Sequence, residues 1–108
     1  MIKVRKQKMY DDFTQEQLEE ASATMRAIAH PLRLRIIRFI DKNRKINVNK
    51  IYNKLKLEQS ITSQHLRILR DSDLVFAERD GKFIYYSLNY DKMQSVAKSV
   101  DKYFKRKK

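Results

Sequence analysis

Apolar residues recur at helical spacing along most of this chain and switch to alternation only once. Between about residue 12 or 14 and residue 29, Leu18, Ala21, Met25, Ile28 and Ala29 form one stripe, with Glu16, Glu19, Glu20 and Arg26 opposite. That period predicts an amphipathic helix, and Thr14 followed by Gln17 matches a capping box at its start. His30-Pro31 ends this helix and opens the next, because a proline in the first helical position has no N–H to lose. His30 reads as a hydrogen-bonding residue at that start rather than a ligand. The second helix, 31–41, turns Leu32, Ile36, Phe39 and Ile40 inward, with Leu34 and Ile37 on its flanks. Arg33, Arg35 and Arg38 project from it, either towards phosphates or towards the acids of the first helix, and the pattern does not choose between them. After a polar connection over 43–45, Asn47 is a good N-cap for a third helix over 48–56.

A fourth helix beginning near Glu58 and ending at 72–73 has two different faces. Ser60, Ser63, Gln64 and Arg67 fall at i, i+3, i+4 and i+7 and share a polar stripe. Thr62, Leu66 and Leu69, flanked by Ile61 and Ile68, face the other way and can pack on Ile51 and Leu55 of the third helix. A recognition helix needs that division, with short hydroxyl and amide groups reaching base edges while the other face anchors. An ordinary amphipathic helix with a solvated face has the same pattern.

The period then changes. Residues 75–79 and 82–88 are rich in β-branched and aromatic side chains and are separated by Asp80-Gly81, a strong two-residue hairpin signal. Ile84, Tyr86 and Leu88 alternate onto one face, Phe83 and Tyr85 onto the other, and Arg79 and Lys82 flank the tip. Asn89 is a plausible N-cap for a last helix over 90–105, whose stripe is Met93, Val96, Ala97, Val100, Tyr103 and Phe104. A core this small cannot easily absorb the stripes of both the first and last helices. Leu18, Ala21, Met25, Met93, Val96, Val100, Tyr103 and Phe104 are therefore expected to form a self-complementary homodimer face.

Composition narrows the function. A chain of 108 residues makes one domain, divided here into a basic arm over 1–12, a folded unit over 13–105 and a basic tail over 106–108. Its 25 Lys and Arg against 13 Asp and Glu give a net charge of +12, which favours a polyanion: nucleic acid first, an anionic membrane second. With one Gly and one Pro the fold should be mainly α with a small β-hairpin, an α+β chain. There is no Cys, so disulfides, thiolate metal sites and a Cys nucleophile are excluded. No phosphate-cradling Gly loop or cluster of acids and His points to an enzyme. Without a membrane-length apolar run or a leader-like N-terminus, a cytoplasmic protein is expected.

Three ordered motifs carry a family resemblance. Ala29-His30-Pro31-Leu32-Arg33-Leu34-Arg35-Ile36-Ile37, then Gln59-Ser60-Ile61-Thr62-Ser63-Gln64-His65-Leu66-Arg67-Ile68-Leu69-Arg70, then Asp80-Gly81-Lys82-Phe83-Ile84-Tyr85-Tyr86-Ser87-Leu88 resemble the signatures of the ArsR/SmtB transcriptional repressors. The match covers about residues 14–104. It implies a winged helix-turn-helix of four helices, a two-stranded wing and a fifth helix, dimeric through its first and last helices. It also implies DNA contacts at Gln59, Ser60, Ser63 and Gln64. Arg67 would meet a phosphate, Arg79 and Lys82 would serve as wing contacts, and His65 would pair with neighbouring backbone rather than a base. The family's sensing residues are absent. Asn47 and Asn49 stand where many members have Cys-x-Cys, and Tyr90, Lys92, Tyr103 and Arg106 stand where others carry Asp, His and Glu ligands. No metal and no cofactor is expected.

The function this implies is a dimeric, sequence-specific DNA-binding regulator, a repressor on a palindromic operator, reading double-stranded DNA through the recognition helix 59–71 and the wing 75–88. Its effector would be a non-metal small molecule, a protein, or nothing; Met25, Met93 and Tyr103 are candidates to line a pocket, although such residues also serve as core. The alternative is an architectural protein that coats DNA without reading sequence, which suits the charge but not the Ser/Gln stripe. A winged helix used as a protein-interaction module would turn the same stripe to protein.

Overall fold

The corners of this fold are set by helix ends, and each can be traced to a residue. In the computed structural model, which describes residues 15–107 without the side chains of Leu18 and 100–107, the first helix is α1 (Gln15–Ile28). The arm 1–12, the Thr14 capping box, Lys108 and the Leu18, Val100, Tyr103 and Phe104 side chains lie outside the described residues. His30 leaves the helix in an extended conformation, and its Nδ1 accepts the Leu32 N–H at 3.1 Å, capping α2 (Pro31–Asn43) with Pro31 in the first turn. At the other end Arg44 takes a positive φ of 67°, and the chain turns into a short strand, β1 (Lys45–Asn47).

That strand corrects the expectation of a plain polar connection over 43–45. Lys45, Ile46 and Asn47 pair antiparallel with Ser87, Tyr86 and Tyr85. Three residues are too few to display an alternating period, and their partner lies about forty residues later in the chain, so no local pattern announces the strand. Asn47 then caps α3 (Val48–Leu55), its Oδ1 accepting the Lys50 N–H at 2.9 Å. Lys56, left-handed at φ 57°, ends that helix and leads into α4 (Gln59–Asp71).

After α4, Asp73 at φ 61° redirects the chain into β2 (Val75–Asp80), and Gly81 at φ 65° makes the hairpin tip before β3 (Phe83–Leu88). A positive φ costs a residue without a Cβ almost nothing, which is why the glycine sits there. The sheet order is β1-β3-β2, with β3 central and antiparallel to both neighbours. Asn89 has two tasks: its Oδ1 accepts the Lys92 N–H at 3.1 Å to cap α5 (Tyr90–Lys107), and its Nδ2 donates to the Asp73 carbonyl at 2.9 Å. The last helix thus starts against the end of α4 and runs past the expected residue 105.

The core draws on α1 to α4 and on all three strands. Ile36 and Ile40 of α2, Ile51 of α3, Leu66 and Leu69 of α4, and Leu74 are fully buried, closed over by Ala27, Ile46, Val75 and Leu88. Each large side chain so removed from water contributes on the order of 1.5 to 3 kcal/mol before chain entropy is counted. Two threonines buried among them keep their hydroxyls satisfied locally. Thr24 donates to the Glu20 carbonyl and Thr62 to the Glu58 carbonyl, both at 2.9 Å.

Asn47 joins the strand, the cap and the core at one point, so its removal should be felt. Asn47→Ala is expected to lower unfolding stability by about 1 to 2 kcal/mol, while Asn47→Asp, which keeps the acceptor, should recover most of the loss. Urea denaturation measures both; an alanine variant within a few tenths of a kcal/mol of the parent would remove the cap from the account.

Candidate nucleic-acid interface

Because Thr62, Leu66 and Leu69 hold one side of α4 in the core, the opposite side is committed to solvent. Ser60, Ser63, Gln64 and Arg67 are all exposed there, and Gln59 is exposed in the first turn beside them. At about 1.5 Å per residue the stripe from Ser60 to Arg67 runs roughly 10 Å along the helix, a length that fits within a DNA major groove. Ile61 and Ile68, expected at the flanks of the packed face, are more open than that: both are exposed.

The wing presents its basic residues near the tip. Arg79 lies opposite Ile84 and Asp80 opposite Phe83, so Arg79 and Lys82 stand on either side of the turn, both exposed. The Lys82 ammonium sits 5.6 Å from the Phe83 ring centroid. Further back, Lys45 Nζ pairs with Glu78 Oε1 at 2.9 Å and lies 5.6 Å from the Tyr85 ring, bringing β1 and β2 together across β3. Lys45 donates to the Glu78 carboxylate, and that hydrogen bond, then the Glu78 charge, raises the Lys45 pKa.

Two of the three α2 arginines go where neither expectation put them. Arg33 Nε donates to the Ala27 carbonyl at 2.7 Å and its Nη2 to the Arg26 carbonyl at 3.5 Å, at the end of α1. Arg35 Nη2 donates to the Leu55 carbonyl at 3.2 Å, at the end of α3. The last carbonyls of a helix lack intrahelical partners and carry the negative end of its dipole, which makes them good acceptors for a guanidinium. Arg38 is exposed. Lys50 and Lys54 are exposed on α3, a helix without an acidic residue; the sequence held that sign but its stripes did not single it out.

His65 departs from its expected backbone pairing. Its Nδ1 is buried with no hydrogen-bond partner among the described residues, and its ring packs against His30 with centroids 4.8 Å apart. Burial first, then the positive potential of His30 and Arg33, holds the imidazole below its ordinary pKa. The helix-start geometry that fixes His30 also places it against α4, a tertiary contact that no spacing in the sequence encodes.

At the terminal helices, Ala21 and Met93 are half-buried, Met25 is 43% exposed, and Val96 is only 8% exposed within a single chain. Val96 is therefore already covered by its own fold, whereas Met25 keeps an open face. Tyr90 and Lys92 are occupied within the chain. The Tyr90 hydroxyl donates to Asp41 Oδ1 at 2.5 Å and accepts from Arg44 at 3.3 Å, and Lys92 forms an ion pair with Glu20 that ties α5 to α1. Asn47 is used as a helix cap, and Asn49 is exposed. Among the described residues no three of His, Asp and Glu converge as a metal site, and no helix is long and apolar enough to cross a membrane.

Comparison with known proteins bears on what such a surface does. Residues 30–76 match the family described as "Bacterial regulatory protein, arsR family". The chain is 40% identical over 84 residues to the transcriptional repressor PagR of Bacillus anthracis, a match spanning 78% of this chain and 84% of PagR. It is 33% identical over 86 residues to an uncharacterized helix-turn-helix transcriptional regulator of Methanocaldococcus jannaschii, spanning 80% of this chain and 97% of that protein. The crystal structure of PagR superposes with a TM-score of 0.68 at 36% identity, covering 81% of this chain and 99% of PagR. That of NolR from Sinorhizobium fredii superposes with a TM-score of 0.67 at 36% identity, covering 79% of this chain and 84% of NolR.

Burial of His65, reinforced by the neighbouring His30 and Arg33, makes stability depend on pH with a definite sign. The folded state favours neutral His65, so its contribution is complete above the ordinary pKa of about 6.5 and is lost as pH falls through the lower folded value. As pH falls below about 6.5, denaturation midpoints should decline more steeply in the parent than in His65→Gln. Parallel curves for the two proteins would contradict this.

Proposed function

Since the chain belongs to the arsR family of bacterial regulatory proteins, DNA-binding transcriptional regulators rather than enzymes, we propose that it acts as a homodimeric, sequence-specific repressor on a palindromic operator. The observation that carries this reading is the division of α4, whose Ser60, Ser63, Gln64 and Arg67 stripe is exposed while Thr62, Leu66 and Leu69 anchor it in the core. Gln64 has the amide that pairs bidentately with adenine in the major groove, and Gln59, Ser60 and Ser63 supply shorter donors and acceptors to neighbouring bases. Arg67 contacts a phosphate, and Arg79 and Lys82 at the wing tip meet the backbone or minor groove. Polymerase is excluded while the operator is occupied.

Dimerisation through α1 and α5 would set two α4 helices roughly 34 Å apart, one turn of B-DNA, which is what a palindrome requires. Leu18, Ala21, Met25, Met93, Val100, Tyr103 and Phe104 are the residues proposed for that face, with Val96 beneath it. The repressor does not respond to a metal: Asn47 and Asn49 offer no thiolate, and Tyr90 and Lys92 are engaged within the chain. Its effector would be a non-metal small molecule, for which Met25, Met93 and Tyr103 are the candidate pocket residues, a partner protein, or nothing. A second reading, favoured by the net charge of +12, is an architectural protein that binds cytoplasmic DNA without regard to sequence.

Fluorescence anisotropy on a duplex from the protein's own upstream region and on a scrambled duplex, each across a salt series, separates the two. A specific repressor should bind the first at least about a thousandfold more tightly at physiological salt; equal affinity and equal salt slopes would favour the architectural reading. Gln64→Ala should cost about 1 to 3 kcal/mol on the specific duplex and little on the scrambled one, whereas Lys82→Ala should weaken both and reduce the salt slope by about one. Val100→Glu should dissociate the dimer in sedimentation; an unaltered dimer would move the interface away from α5.

A further inference from the structure

Ile61 stands where the packing of α4 gives no account of it. It is the third residue of the helix and 38% exposed, between the exposed Ser60 and the exposed Gln64. At about 100° per residue its side chain leaves the helix roughly 60° around from that of Gln64, on the edge where the polar stripe ends. Single exposed apolar residues are common on protein surfaces, so exposure alone means little. Position is what distinguishes this one. The N-terminal residues of a recognition helix are those that reach base edges, and the major groove offers a single apolar feature, the C5-methyl of thymine. Ile68 has similar exposure on the same edge but lies about 10 Å further along the axis, away from that end of the helix.

We propose that Ile61 is a specificity-determining residue that reads a thymine through its C5-methyl, next to the base read by Gln64. The inference rests on α4 being the base-reading element. A β-branched side chain on a helix has one strongly preferred χ1, so Ile61 presents its methyl groups at a fixed place with little ordering cost on binding. The contact distinguishes thymine from cytosine, which lacks the methyl, and it does so without a hydrogen bond. With an adenine-reading Gln64 beside it, Ile61 biases each half-site towards A·T pairs at adjoining positions.

The test removes the methyl from either side of the contact. A duplex enriched from a randomised library by the parent protein is remade with each thymine of one half-site replaced in turn by deoxyuridine, which lacks only the C5-methyl. The parent should lose about fourfold in affinity at one thymine, as expected for one buried methyl group. Ile61→Ala should lose a similar factor on the unmodified duplex and nothing further when that same thymine is replaced, while Ile61→Val should retain most of the discrimination. A parent indifferent to every replacement, or losses that multiply at every thymine in Ile61→Ala, would overturn the proposal. Gln64→Ala in the same assay keeps the two ideas apart. If the parent is indifferent to every deoxyuridine replacement while Gln64→Ala loses affinity on the enriched duplex but not on a scrambled one, base reading by α4 stands and the Ile61 assignment fails. Failure to enrich any sequence overturns both.

Discussion

Burial of Thr62, Leu66 and Leu69 beneath α4 is the constraint from which most of this molecule follows. The two leucines join Ile36, Ile40 and Ile51 in one core cluster, and with the buried Thr62 they leave α4 no freedom to rotate about its axis without exposing leucine or burying arginine. Either change costs several kcal/mol, comparable to a large part of a small domain's stability. The orientation of Ser60, Ser63 and Gln64 is therefore set by what lies behind them. A surface built this way is already in its final orientation before any partner arrives, which reduces the ordering cost of binding.

Helix ends account for much of the polar structure. Arg33 and Arg35 close the ends of α1 and α3, His30, Asn47 and Asn89 cap α2, α3 and α5, and Asn89 also bonds Asp73 behind α4. Each satisfies backbone groups that a helix terminus would otherwise leave unpaired. Several of these residues were candidates for other tasks. Asn47 occupies a position that family resemblance associates with sensing, and here its amide is committed to a cap beside a buried strand. Lys92 and Tyr90, at another such position, hold α5 to Glu20 of α1 and to Asp41 of α2.

The same logic sorts the positive charge. Of the residues behind the net charge of +12, Arg33, Arg35, Lys45 and Lys92 have partners within the chain, and their role is local. Arg67, Arg79 and Lys82 are exposed around α4 and the wing, and Lys50 and Lys54 add to them from α3. Charge count alone favours a polyanion of any sequence; the amide and hydroxyl side chains on α4 are what support the proposal of a sequence reader, since phosphates would be served as well by lysine.

Periodicity in the sequence was enough to determine the five helices, the hairpin, the polar stripe of α4 and the caps at Asn47 and Asn89, because each depends on residues within a few positions of one another. Strand β1, the Arg33 and Arg35 caps, the His30–His65 contact, the exposure of Ile61 and the self-coverage of Val96 were decided only by tertiary structure. Lys45 meets Ser87, Arg35 meets Leu55 and Glu20 meets Lys92 across separations that no local period spans. Local spacing fixes which face of an element is apolar, but which neighbour receives that face is set by how the whole chain closes around Ile36, Ile40, Leu66 and Leu69.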